Sequence, residues 1–177
     1  WSSPVSPINT TANNTDYSVT DVLYDGTDPN NPLPVLFTNT SYDGIAGSPV
    51  TLADYWIFKF VDQPYLYNNW FLGHVRSTGT MKVGEGYTQK GTGAVTDQNY
   101  VFVGKPNNGI ISHTISPNNT SVLGNPYPSA IDAHQFITDN IAELQNDGLG
   151  VPGATNGTLY FWEHWGGTSH YLAAYEG

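Results

Sequence analysis

The sequence predicts an all-β protein, a two-layer β-sandwich of jelly-roll type with one short α-helix near residues 133–145, on three observations. Short stretches rich in aromatic and β-branched residues recur between turn signals spaced about 8–12 residues apart, the spacing of sandwich strands. Nineteen glycines and twelve prolines punctuate them without a fixed period, which suits tight turns rather than a collagen-like or disordered chain. Apolar residues at helical spacing stand out in one place only, at Ile137, Ile141 and Leu144.

Taken in order, Val5 and its neighbours predict a first edge strand followed by an irregular Asn/Thr-rich loop to residue 16. Tyr17 to Tyr24 is β-rich and partly alternating, Asp25 to Pro32 is a polar loop full of turn formers, and Val35 to Thr38 is a short strand. Tyr55-Trp56-Ile57-Phe58-Lys59-Phe60-Val61 carries the strongest strand signal and is expected in the middle of a sheet. Gln63 to Asn69 is read as a loop and Trp70 to Arg76 as a strand. Tyr100 to Gly104 is a buried-strand pattern, and Asn108-Gly109 is expected to turn it into a second strand over Ile110 to Ile115. Next, Asn125-Pro126-Tyr127-Pro128 holds the chain extended and delivers it to Asp132, placed to cap a helix with Gln135 closing a capping box. A last strand is expected over Thr158 to Trp162, with Glu163 to His170 as a polar, aromatic loop.

The length fits a single domain spanning 1–177, and with no initiator Met the chain is expected to be a piece of a longer multidomain protein. Five basic residues against fifteen acidic ones give a net charge of −10, which speaks against nucleic acid or an anionic membrane surface as partner. No apolar run approaches the roughly 20 residues that cross a bilayer, so membrane insertion is not expected. Cysteine is absent, so the fold holds without disulfides.

Several phrases in fixed order resemble a recurrent domain of large secreted and surface proteins of the Bacteroidota, many of them cargo of type IX secretion. They are Trp1-Ser2-Ser3-Pro4-Val5, Gly84-Glu85-Gly86-Tyr87, Phe102-Val103-Gly104-Lys105-Pro106-Asn107-Asn108-Gly109, Gly124-Asn125-Pro126-Tyr127-Pro128-Ser129-Ala130-Ile131-Asp132 and Gly157-Thr158-Leu159-Tyr160-Phe161-Trp162. The resemblance implies a module of a secreted or outer-cell-surface bacterial protein and carries over no catalytic motif.

Nucleophilic catalysis lacks its parts: there is no cysteine and no Gly-x-Ser-x-Gly elbow, so no catalytic residue is assigned. Glu85 and Glu163 are the carboxylates to consider for glycoside hydrolysis, with solvated loop acids as the plainer reading. Glu163, His164 and His170 are too loosely spaced for a closed zinc site. Asp25, Asp28 and Asn30 place hard oxygen donors on one turn and form a candidate calcium site, against the plainer reading of an Asx-turn loop. Calcium is the only cofactor so suggested.

Aromatic residues are the chain's main resource for binding, because sugar rings lay their C–H faces on Trp and Tyr while amides bond the hydroxyls. Polar-aromatic loops make Trp165, Trp70, Tyr65 and Tyr67 the glycan-binding candidates, whereas Tyr55 to Phe60 are expected in the core. The expectation is therefore a non-catalytic module for adhesion or glycan binding, its partner an extracellular glycan or a neighbouring surface protein. Two alternatives stand beside it: a stalk or filament subunit assembling by strand pairing, and a polysaccharide-active enzyme domain.

Overall fold

A computed structural model describes residues 1–94, 96–139, 159–165 and 168–175, with side chains up to residue 139. Short strands joined by long connections dominate, with few short helices. The chain divides into two compact units, Trp1–Ala130 and Ile131–Gly177.

In the first unit, β1 (Val5–Ser6) pairs antiparallel with β8 (Lys105–Pro106). α1 (Val19–Val22) is a single turn in which the Asp21 carboxylate accepts the Ser18 backbone N–H at 2.9 Å. It leads directly into β2 (Leu23–Asp25), the middle of a three-stranded antiparallel sheet between β3 (Leu33–Pro34) and β7 (Tyr100–Phe102), with Tyr24 opposite Pro34 on one side and Val101 on the other. β4 (Leu36–Thr38) and β5 (Thr51–Ala53) pair in parallel, and β6 (Gln63–Pro64) pairs with β9 (Asn119–Thr120). Among the described residues no sheet exceeds three strands.

The core is built from residues of α1, β2 and β5 and of the connections between strands. Val19 and Val22 of α1, Leu23, Val50, Leu52, Ile57 and Met81 are fully buried, and Phe37, Val75, Tyr100 and Phe102 close over them. Each such aliphatic side chain contributes about 1.5–3 kcal/mol by leaving water. Polar residues are buried where backbone groups need partners that strands do not supply. Asn107 is the main example: its amide donates to Ser3 O at 3.3 Å and Pro126 O at 3.1 Å, and its Oδ1 accepts from Ser6 Oγ at 2.7 Å.

Several expected elements take another form. Tyr17 to Tyr24 is half helix, because α1 occupies its centre. Tyr55 to Val61 is not a central strand. Asp54–Trp56 forms a 3-10 turn, held because the buried Asp54 carboxylate accepts the Ser77 N–H at 2.7 Å and pairs with Arg76 at 3.0 Å, and the chain beyond it makes single bridges, Phe58 to His74 and Lys59 to Tyr87. Trp70 to Arg76 is likewise mostly 3-10 helix, over Tyr67–Gly73. The hairpin expected at Asn108-Gly109 does not form: β8 is taken by β1, and Asn107 and Asn108 are bonded into the N-terminal segment, with Asn108 N–H donating to Asn14 Oδ1 at 3.0 Å.

The Asn125-Pro126-Tyr127-Pro128 corner is tied to distant chain at three points. Asn125 O accepts Ser2 Oγ at 2.8 Å, Pro126 O accepts Asn107, and the Tyr127 hydroxyl donates to Gly109 O at 2.7 Å.

In the second unit, α2 (Ala133–Asp139) starts as expected on Asp132, whose Oδ1 accepts the Gln135 N–H at 2.9 Å. The Gln135 side chain bonds Asp139 at 2.6 Å, one turn on, so the reciprocal half of the capping box is not made. Residues 140–145 of the expected helix lie outside the described residues. β10 (Leu159–Trp165) and β11 (Thr168–Tyr175) form an antiparallel hairpin with a register shift between Tyr160 and Phe161. The strand thus runs three residues past the expected end at Trp162, and the expected Glu163 to His170 loop is largely hairpin.

Candidate functional site

Three segments of the first unit converge on one cleft of about 760 Å3, lined by Tyr55, Trp56, Phe58, Tyr67, Trp70, Phe71, Thr88, Gln89 and Lys90. The chain from Trp56 to Lys59 forms its spine. On one side Thr88 straps it: Thr88 N–H donates to Phe58 O at 2.9 Å, Phe58 N–H donates to Thr88 Oγ1 at 3.1 Å, and that hydroxyl donates to Trp56 O at 2.6 Å. On the other side Lys59 N–H donates to Gly73 O at 2.9 Å. Gly73 is obligatory there, because a Cβ would collide with the Lys59 carbonyl.

That closure sets the 3-10 helix Tyr67–Gly73 against the spine. Phe71 meets Phe58 edge-on at 6.3 Å, Tyr67 meets Phe71 at 6.1 Å, and Trp70 lies 5.0 Å from the buried Phe60 ring. His74 stacks on Phe58 at 4.4 Å and 16°. Opposite, Tyr55 and Trp56 pack perpendicular at 5.0 Å, and Trp56 Nε1 donates to Tyr42 O at 2.7 Å, which fixes the indole plane. Lys90 Nζ lies 5.3 Å from the Trp56 ring centroid, a cation–π contact, and pairs with Asp43 at 2.5 Å. The product is an aromatic-walled cleft with hydrogen-bonding groups and one ammonium along its rim.

Of the residues singled out from sequence, Trp70 and Tyr67 line this cleft, and Tyr67 is 80% exposed. Tyr65 stands beside it, 79% exposed, with its ring 6.3 Å from Phe60. Trp165 is the last residue of β10 rather than part of a loop, and its side chain lies outside the described part of the structure. Tyr55, Trp56, Phe58 and Phe71 complete the wall and were not legible as such: aromatic density in a β-like run signals burial, and it takes the fold to show which rings keep an open face. Thr88, Gln89 and Lys90 carry no sequence signal of their own.

Asp25 closes β2 while Asp28 and Asn30 lie on the loop after it, and the three have different tasks. Asp25 is buried. Its Oδ1 accepts the Thr27 N–H at 2.8 Å and the Thr27 hydroxyl at 2.6 Å, and its Oδ2 accepts the Val50 N–H at 2.9 Å. Burial by itself raises the Asp25 carboxyl, but hydrogen bonds from Thr27, Val50 and Ser48 outweigh it and hold the pKa below the usual value. Asp28 Oδ1 accepts the Asn30 N–H at 3.0 Å, an exposed Asx-turn.

Glu85 is buried and paired with Lys59 at 2.8 Å, its Oε2 also accepting the Lys82 N–H at 2.9 Å. Glu163 stands opposite His170 in the β10–β11 register, and His164 opposite Ser169. Among the residues with described side chains, no three His, Cys, Asp or Glu gather as metal ligands do. No helix among the described residues is long and apolar enough to cross a membrane. A second cleft, of about 740 Å3, is polar and holds the Asp54–Arg76 pair among Thr20, Asn39, Ser77 and Thr78.

A family model described as a domain of unknown function, DUF8693, matches residues 37–175, and the chain belongs to that family. No curated protein and no solved structure matches the chain.

Proposed function

We propose, for a chain whose family carries no assigned activity, that it is a non-catalytic carbohydrate-binding module of a secreted or cell-surface bacterial protein, built as a two-layer sandwich and engaging glycans through the aromatic cleft. One observation carries the reading: two indoles and two phenols share a cleft with Phe58 and Phe71, while Thr88, Gln89 and Lys90 rim it with hydrogen-bonding groups. Pyranose rings need that pairing, an apolar platform for their C–H faces and polar groups at the edge for their hydroxyls. The volume falls within the range of ligand pockets, about 300–1,000 Å3. Enzymatic hydrolysis finds no comparable support, since among the described residues no carboxylate lines the cleft and Glu85 is spent on Lys59.

The test is a broad glycan array followed by calorimetry with the strongest ligand. Tyr67→Ala is the informative variant, because a ring 80% exposed is removed at little cost to folding. Loss of one stacking platform is expected to weaken binding by about 1–2 kcal/mol, roughly five- to thirtyfold. Silence across the array, or full affinity in both Tyr67→Ala and Trp70→Ala, would overturn the reading.

A further inference from the structure

We infer that the cleft is selective for a largely neutral glycan bearing a single carboxylate, a uronic acid residue received by Lys90; this rests on the carbohydrate reading given above. The chain has fifteen acidic and five basic residues, yet among the described residues the one charged side chain lining the cleft is a lysine. Of the other cations, Lys59 is ion-paired with the buried Glu85, Arg76 with Asp54, and the Lys105 ammonium is bonded to Thr10 O. Lys90 is held over the face of Trp56, beside the platform on which a sugar ring would lie. A carboxylate projecting from that ring meets the ammonium without leaving the wall.

The present partner of Lys90 is easily exchanged. Its bond to Asp43 joins side chains 43% and 73% exposed, and exposed pairs of this kind shift an equilibrium by at most about fivefold. A ligand carboxylate offers the ammonium the same charge in the place of Asp43, beside the Trp56 ring. One carboxylate is favoured over many because the net charge of −10 opposes a polyanion laid across the surface. A lone carboxylate takes the place of Asp43 and meets the Lys90 ammonium at contact distance, where the attraction is strongest.

The experiment uses an array of matched pairs, each glycan carrying one uronate printed beside its carboxyl-reduced, neutral form, together with oligogalacturonates as polyanions. Within pairs the uronate member is expected to bind about fivefold tighter at low salt, with the advantage shrinking as salt is added. Lys90→Met keeps the stem over Trp56 and should erase the preference, so that the two members of each pair bind alike whatever their common affinity. Asp43→Asn, which frees Lys90, should enlarge it. Equal binding within pairs, a preference that survives Lys90→Met, or strongest binding to oligogalacturonate overturns the inference and leaves the carbohydrate reading standing. No binding to any member removes both.

Discussion

Replacing Asp25 with alanine separates a structural carboxylate from a cation ligand, the two roles open to it. The wild-type carboxylate satisfies the N–H of Val50, a residue with no exposed surface, and tethers Thr27 through both its N–H and its hydroxyl. In Asp25→Ala the Val50 N–H is left without an acceptor in the core, a loss of about 1–3 kcal/mol, and the charge-assisted bonds to Thr27 add about 1.5–3 kcal/mol. Removing the carboxylate also removes the cost of keeping it out of water, which trims the sum to about 3 kcal/mol. For a domain of this size that corresponds to a fall in melting temperature of about 6–12 °C. Urea unfolding followed by tryptophan fluorescence measures it, once in chelator and once with added calcium. A structural carboxylate gives the same loss in both buffers. A loss seen only with calcium present, or one below about 0.5 kcal/mol in both, would refute the reasoning.

Two further outcomes follow from the same geometry. Gly73→Ala drives a methyl group into the Lys59 carbonyl and must push the 3-10 helix Tyr67–Gly73 away from Phe58, so it should destabilise by about 2 kcal/mol or more and flatten the near-ultraviolet aromatic spectrum; an unchanged spectrum would contradict the role given to that contact. Asp25 and Asp54 both have folded pKa values below the usual one, so the unfolded chain binds more protons near its own pKa of about 3.9. The stability they supply is complete above that pKa and drains away as pH falls through the folded values. The urea midpoint should hold from neutrality to about pH 5 and drop below about pH 4, more gently in Asp25→Ala, and parallel curves for the two proteins would count against the assignment.

Local chemistry was legible where the chain answers to its neighbours in sequence. Asp132 caps α2 because a short acceptor before an apolar helical start has one good use, and Tyr100 to Phe102 pairs as a strand because three adjacent β-formers followed by Gly104 leave few alternatives. The Asn108-Gly109 hairpin failed for a reason the local sequence does not contain: Asn107 is worth more as a buried hub joining Ser3, Ser6 and Pro126 than as the lead-in to a turn. Tyr55 to Val61 failed similarly. Its aromatic and β-branched content records burial, while its backbone is decided by Asp54, Ser77, Gly73 and Thr88 from elsewhere in the chain.

The candidate site shows why composition finds half of such a cleft. Tyr65-Leu66-Tyr67-Asn68-Asn69-Trp70 stands out because apolar rings among asparagines are unsuited to a core, and its tyrosines are indeed exposed. The facing wall, Tyr55 to Phe58, reads as core because part of it is: Ile57 and Phe58 are buried, whereas Tyr55 and Trp56 are partly open. Neighbouring residues in one apolar run thus divide between holding the fold and lining the cleft. The Thr88 strap fixes the backbone of Trp56 and Phe58, and of the two rings lining the cleft that of Phe58 is the more deeply buried. Phe58→Ala should therefore act on stability first and Tyr67→Ala on binding first, although the two rings line the same cleft.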